Sequence, residues 1–497
     1  MYFIEFLYAI TFLIAFRYLR VLQLKNAPLW VMPLSFCIKI GVTIVFLLMY
    51  LHPDTNNNVP SDTMRFLSES KKLHTVFYTS PKDYFSLLIG VGDEHYLIQK
   101  YLNETFLWDS GSMTIVNDSR NIIRLHSLIQ FVSFGSPFIH GLLMCFIALI
   151  GLKNLHYAFI PFIHIKPYLS FFILLLLPGA LFWTSGILKE PILLLGIGLL
   201  MRSTLSKENI KHRIVTGTIS VLILVSIKPY VLSCLIPAFT FYILYKYVFK
   251  QRMIVSLLSF FVIGLTVVFL FKNERQKVVH YISMKQYDFS HIGKGGLFVK
   301  ADTNLFYFNP KQFKNLIINK NKTKVKLIHS TASYNVSRSN MYPPKACYIK
   351  AQGQEWKLNY YVGGALSYIE PTLINNSFSQ LIKNIPEALT NSYARPFPSD
   401  PGSGLKYPAM FEVWGLTFFI IYALSNRRKI NTEIRGLIVS LFIFSLSLLL
   451  ILGWTTPIIG AIYRYRFPAQ LALLIIALLL MKSLPFIKNS ESKEKLT

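Results

Sequence analysis

Residues 454–480 read WTTPIIGAIYRYRFPAQLALLIIALLL. From Pro468 onward the chain is apolar for about one membrane thickness, and a second apolar run, 436–453, ends just before Trp454. A helix needs about 20 such residues to cross the hydrocarbon, so the stretch reads as the turn between two membrane spans. Arg464 and Arg466 stand in that turn. A charge at the edge of a bilayer is costly unless it has a partner. The stretch therefore sets the fold class and asks which anion the two arginines meet.

Working outward, the same signal recurs. The 497 residues are 53% hydrophobic and 15% aromatic, and mean hydropathy is +0.45. Apolar runs fall at 1–19, 29–51, 127–151, 167–184, 190–202, 214–227, 230–246, 253–271, 411–425, 436–453 and 467–485. They lack the polar–apolar alternation of a membrane barrel. The first run has no basic leader or small-residue cleavage site, so a span is expected there instead of a cleaved signal. The expected fold is an all-α polytopic membrane protein of about eleven transmembrane helices. A periplasmic domain, mixed α/β or irregular, is expected beside them.

Orientation follows from Lys and Arg in the short connections. Arg17, Arg20 and Lys25 fall on one face with Lys153, Lys166, Arg202, Lys207, Lys211 and Arg213. Lys246, Lys250, Arg252, Arg427, Arg428, Lys429, Arg435 and the basic tail follow on the same face. That face is expected to be cytoplasmic. Two long polar segments then lie outside. The expected units are a transmembrane domain 1–271 with an outer loop 52–126, a periplasmic domain 272–410, and terminal helices with a short tail, 411–497. The 272–410 segment carries 19 Lys and Arg against 7 Asp and Glu, a net +12. Long segments translocate regardless of charge.

The formal net charge is +28. Nucleic-acid binding is one source of such a balance, but many of the basic residues here flank apolar spans. Anionic headgroups of membrane lipids and phosphate-bearing lipids are the expected partners, and no nucleic acid is expected. Cys37, Cys145, Cys234 and Cys347 are scattered. Their spacing suggests neither a disulfide nor a zinc site.

Three basic motifs share a local grammar. Lys189-Glu190-Pro191, Lys228-Pro229 and Arg466-Phe467-Pro468 each place a base just before a proline that opens an apolar run. Proline suits the first turn of a helix, and helix N-termini attract anions. If the chain is extended there, Arg464 and Arg466 point the same way. Two guanidiniums on one side can grip one phosphate. A lone Lys or Arg at this depth usually snorkels to headgroups instead. Arg464, Arg466, Lys189, Lys228 and Glu190 are the substrate-binding candidates, with Arg395 in ARPFP and Glu412 at the rim.

Carboxylates follow the second run, in LHPDTNNNVPSDTMRFLSESKKL. Asp54 and Asp62 lie close to the membrane exit, and Asp62 opens a short helix. An aspartate there is often only a cap. The catalytic alternative is a general base that takes a proton from an acceptor hydroxyl. Asp93 in GVGDEHYLIQ is the rival base; adjacent acids such as Asp93 and Glu94 can bind a divalent metal with a phosphate, and a solvated loop is the plainer reading of the same residues. A divalent metal stays open as a cofactor, and no defined metal site is assigned. The chain carries no nucleophile elbow, P-loop or HExxH motif.

The order of motifs is an outer aspartate after an early span, then PKDYFSLL, NDSRNIIRLHSLIQFVSFGSPFIHGLLMCFIALIGL, LLPGALFWTSGILKEPILLL, NIPEALTNSYARPFP and RYRFP. It resembles a group of bacterial polytopic proteins allied with the GT-C glycosyltransferases, over most of the chain. The resemblance implies a multi-span enzyme with an outer-face site and a polyprenyl-phosphate sugar as donor. An acidic residue of the first outer loop then serves as base or metal partner. Asp62 matches that acidic position, and Lys189, Arg464 and Arg466 match basic positions for the donor phosphate. GDEHY resembles the Asp-Glu-x-x-Tyr form of some members. The chain departs from the family in placing Asp62 after a second span.

The expected function is sugar transfer from a polyprenyl-phosphate donor to a glycan, lipid or protein acceptor, at the periplasmic face of a bacterial inner membrane. One alternative is a lipid-linked oligosaccharide polymerase or ligase. Another is a transport or envelope-assembly subunit, which ionisable residues deep in the spans would favour; Lys39 comes nearest to that description.

Overall fold

A computed structural model describes residues 2–51, 61–90, 94–102, 105, 108, 117–301, 304–319, 324–335, 346–350, 353 and 355–482. Among the described residues seven helices are long and apolar enough to cross a bilayer. They are Val31–Tyr50, Pro137–Phe162, Ile210–Ile227, Pro229–Val248, Met253–Leu270, Lys406–Ser425 and Thr432–Thr455. Ile459–Tyr465 and Phe467–Leu480 make an eighth if they are one span, bent by 52°. The architecture is that of a multi-pass helical membrane protein. Met253–Leu270 shows why: Leu258, Phe261, Val262, Leu265 and Phe269 are all exposed on it, a surface suited to hydrocarbon and not to water.

The expected eleven spans are reduced for three physical reasons. Tyr2–Tyr18 stops after 17 residues. The run 167–184 breaks ahead of Pro178 into Pro167–Leu175 and Pro178–Trp183, because proline cannot continue a helix through its own ring. Glu190–Leu205 has 16 residues, about 24 Å at 1.5 Å per residue, short of a core of roughly 30 Å. Apolar length in the last two serves the protein interior, whereas Tyr2–Tyr18 leaves Phe3, Phe6, Leu7 and Ile14 exposed. The run 127–151 also shifts. Asp118–Ser133 ends where Phe134 and Gly135 adopt left-handed backbone, and the span restarts at Pro137.

The helix Glu190–Leu205 is fixed in height by glycine. A Cβ on Gly151 would lie 2.6 Å from the Leu195 backbone nitrogen, and one on Gly198 would collide with the Gly151 carbonyl. Backbones approach this closely only where small residues meet. We expect Gly151→Leu to destabilise by more than the ~1–3 kcal/mol typical of overpacking, read as a fall in the thermal midpoint in detergent. Gly41→Ala, whose added carbon meets nothing within 4 Å, leaves that midpoint unchanged or slightly raised.

The segment between Leu270 and Lys406 forms a separate layer. The helix Lys272–Lys294 leads into seven strands, β1 (Gly296–Ala301), β2 (Asn304–Phe308), β3 (Leu316–Ile318), β4 (Lys324–Leu327), β5 (Thr331–Asn335), β6 (Ala346–Ile349) and β7 (Glu355–Val362). They make one sheet in the order β3-β4-β7-β1-β2-β5-β6, antiparallel at every junction. The chain after β7 docks on the bundle. Ile369 N–H donates to Pro457 O at 2.9 Å and Ile459 N–H to Ser367 O at 3.0 Å. The Ala388 backbone abuts Gly453 so closely that a Cβ there would collide with it. The turn that carries Arg464 is thus clamped by the segment that follows β7.

Candidate functional site

Two helices that precede the site begin in the same way. At Asp62–Thr79 the cap is Ser61, whose Oγ accepts the Met64 N–H at 3.2 Å and donates to Tyr50 O at 2.7 Å. At Asp118–Ser133 the cap is Asn117, whose side chain accepts the Arg120 N–H at 3.1 Å. In each case the neighbour does the capping, and the aspartate that follows is released for other partners. Asp62 accepts Arg464 Nη1 at 2.8 Å. Asp118 pairs with Lys189 Nζ at 2.7 Å, and Ser119 Oγ accepts from the same ammonium at 2.9 Å.

Behind them lies Glu190, the first residue of its helix. It is fully buried, and Arg464 holds it through Nε at 2.8 Å and Nη2 at 3.0 Å. Lys228 Nζ reaches the same carboxylate at 2.9 Å. Glu190 is therefore the first answer to the opening question, and Asp62 the second. Its place at a helix N-terminus is electrostatically the place an incoming anion would choose. Trp183 and Tyr465 wall the Arg464 guanidinium at 5.7 and 5.6 Å, and Lys228 Nζ lies 4.2 Å from the Tyr465 ring centre.

Exposure sorts the group into layers. Side-chain exposure is 0% for Glu190 and 4% for Lys228, 11% for Arg464 and 12% for Lys189, and 50% and 47% for Asp62 and Asp118. A buried ionic base thus supports two cations at the boundary and two carboxylates in contact with solvent. Desolvation alone would raise the Asp62 pKa. The charge and hydrogen bond of Arg464, with help from Lys189 and Arg65, outweigh it and hold Asp62 below the usual aspartate value.

The segment 184–189 is held in place from the second helix. Lys39 Nζ donates to Thr184 Oγ1 and Ser185 Oγ, each at 2.9 Å, and Thr43 Oγ1 donates to Ser185 O at 2.8 Å. Gly186 lies against the Phe46 ring, with no room for a side chain. Lys39 is thus a buried cation spent on hydroxyls, and it fixes the segment that ends in Lys189.

Arg466 does not join the group. Ile459–Tyr465 is helical and Arg466 continues it with φ −80° and ψ −10°, so residues two apart point about 200° away from each other at 3.6 per turn. The expectation of a shared direction assumed extended backbone. Arg466 is buried and donates Nη1 to the carbonyls of Ser392, Tyr393 and Arg395, at 3.2, 3.3 and 2.5 Å. Arg395 is also directed elsewhere: it bonds Asn391 Oδ1 at 3.0 Å and pairs with Asp400. Glu412 accepts from Tyr463 Oη at 2.8 Å and from the Gly179 N–H. Arg466 and Arg395 thus belong to the joint between the bundle and the segment that follows the sheet, and Glu412 to the packing inside the bundle. Asp54 and Asp93 lie outside the described residues.

Asp118, Ser119, Trp183 and Tyr465 escaped the sequence reading as site residues, and Lys39, weighed there only as a sign of transport, holds the segment that ends in Lys189. The signal for Asp118 was present, since NDS repeats the cap-then-aspartate pattern of PSD at Asp62. Among the described residues no group of three or more His, Cys, Asp or Glu is placed to hold a metal ion. No protein-family model, curated protein or solved structure matches the chain. The chemistry must therefore be argued from the site itself. It offers two cations, each paired to a solvent-facing carboxylate, over a base that does not depend on those pairings. An anionic ligand can displace the carboxylates from Lys189 and Arg464 without dismantling the Glu190–Lys228–Arg464 triad.

Proposed function

We propose that this chain is an integral-membrane glycosyltransferase. It moves a sugar from a polyprenyl-phosphate donor to an acceptor hydroxyl on a glycan, lipid or protein. The site faces outward, toward the periplasm of a bacterial inner membrane. The observation that carries this reading is the meeting of Asp62, Lys189, Lys228 and Arg464 around Glu190 at one end of the bundle. Asp62 retains a solvent-facing carboxylate beside the cations.

The donor phosphate takes the place of Asp118 on Lys189 and shares Arg464 with Asp62. The acceptor oxygen attacks the anomeric carbon while its proton passes to Asp62. The carbon–oxygen bond to phosphate breaks, and its electron pair leaves on the phosphate. The anomeric carbon inverts in this single displacement. Lys189 and Arg464 stabilise the charge that develops on the leaving group. Drawing Arg464 toward the phosphate removes what depresses the Asp62 pKa, so donor binding raises the basicity of Asp62 when it is needed. Glu190 and Lys228 position Arg464 and touch neither substrate.

The second reading, a polymerase or ligase for lipid-linked oligosaccharides, drew on a paired arginine grip for a pyrophosphate. Arg466 faces away from Arg464, which favours a donor with one phosphate. Mass spectrometry of polyprenyl-linked lipids from cells with and without the protein separates the readings. A monosaccharide on a single phosphate should accumulate when the protein is absent. Complete oligosaccharides on pyrophosphate would replace our reading with the second, and an unchanged lipid pool would sink both enzymes in favour of a transport or assembly subunit.

A further inference from the structure

The helix Glu190–Leu205 carries Glu190 at one end and Arg202 near the other, about 18 Å apart at 1.5 Å per residue. Arg202 borders a cleft of about 500 Å³. Its walls come from the segment 20–29 and from the far end of Pro137–Phe159, and its other cations are Arg20, Lys25 and Lys153. The cleft is built in place. Lys153 donates to Val21 O, Gln23 Nε2 to Arg17 O at 2.8 Å, and Arg202 Nη1 to Asn154 Oδ1 at 2.7 Å. Arg202 also pairs with Glu208 at 2.6 Å. No ion pair to a carboxylate is found for Arg20, Lys25 or Lys153 among the described residues.

The surroundings of the cleft say what kind of anion fits. Tyr18, Leu19, Val21, Leu29 and Trp30 are exposed around it. Aromatic and apolar side chains next to basic ones mark the level of the headgroups, with acyl chains on one side and water on the other. A free phosphate would use the cations and leave these side chains in water. A phospholipid uses both. The geometry points to a binding site for the phosphate headgroup of an anionic membrane lipid, at the end of the bundle opposite the sugar-transfer site. Basic pockets between membrane helices take such headgroups. This assignment does not depend on the proposed reaction.

The test is native mass spectrometry of the purified full chain in detergent, titrated with phosphatidylglycerol, phosphatidylcholine or inorganic phosphate. The expected result is saturable binding of phosphatidylglycerol at one site and none of phosphatidylcholine. Arg20→Gln with Lys25→Gln should weaken it about 25-fold, at roughly fivefold for each charge. Both side chains are exposed, so folding should be unaffected, which the thermal midpoint without lipid checks. Lys211→Gln with Lys250→Gln, which removes two exposed charges outside the cleft, should leave binding intact. Equal loss from both double variants would reduce the effect to diffuse surface charge and overturn the site. Equal binding of both lipids would overturn the charge recognition. Inorganic phosphate that binds as tightly as the lipid would overturn the lipid as ligand.

Discussion

Asp62→Asn should lower sugar transfer by about 10²–10⁴-fold, the usual contribution of a positioned general base, while donor binding changes little. The amide keeps the shape of the carboxylate and one oxygen to accept Arg464 Nη1, so the helix start capped by Ser61 stays as it is. Half of the Asp62 side chain is exposed, and an ion pair at such a position contributes only about 0–1 kcal/mol to stability. Loss of activity with an unchanged thermal midpoint is therefore the expected pair of results. The sign of the pH dependence follows from Arg464. Asp62 has a depressed pKa when folded, so its part in stability is full above the unfolded value and is lost as pH falls through the folded one. In the free protein it stays ionised into the acid range. In the donor complex, where phosphate competes for Arg464, the same group should titrate higher. The acid limb of kcat should then lie at higher pH than that of kcat/KM. Identical limbs would sink the displacement of Arg464, and full activity in Asp62→Asn would sink the base.

How much of this was legible in the sequence differs from element to element. The runs that cross the membrane were legible because hydrocarbon demands length and little else. Glu190–Leu205 and the broken pair around Pro178 misled for the same reason: an apolar helix enclosed by protein has no thickness to match. The position before proline singled out Lys189, Lys228 and Arg466 but did not say whether the three motifs meet: Lys189 and Lys228 come together with Arg464 in place of Arg466, and of these three only Lys228 has non-helical backbone, with φ −147° and ψ 77°. Arg466 was misjudged because direction depends on local backbone, and two residues that share a face when extended oppose each other in a helix. Asp118 was passed over because an aspartate at a helix start reads as a cap until the preceding asparagine is seen to do that work. The seven strands of the sheet, three to eight residues long, left no periodic run strong enough to single out in a segment rich in aromatic and basic residues.

Glu190→Leu should be the most destabilising substitution at the site. Lys228 is 4% exposed, and Glu190 is the carboxylate that reaches its ammonium; Arg464 would keep only Asp62. Removing one member of a buried ionic group costs about 3–5 kcal/mol, because the charge left behind has neither water nor a partner. The expected result is a large fall in the thermal midpoint of the full chain in detergent, or failure to recover folded protein. Two further variants keep the test decisive. Glu190→Gln, which retains hydrogen-bond acceptance but not charge, should fall between the parent and Glu190→Leu. Lys228→Met added to Glu190→Gln should restore part of the loss. It removes the stranded ammonium and leaves Arg464 with Asp62 and the ring faces of Trp183 and Tyr465. Coupled neighbours deviate from additivity by about 0.5–3 kcal/mol, and the deviation here should be favourable. Additive losses would mean that Glu190 and Lys228 do not act as a unit, and Arg464 would then need some other explanation for its place at the head of the bundle.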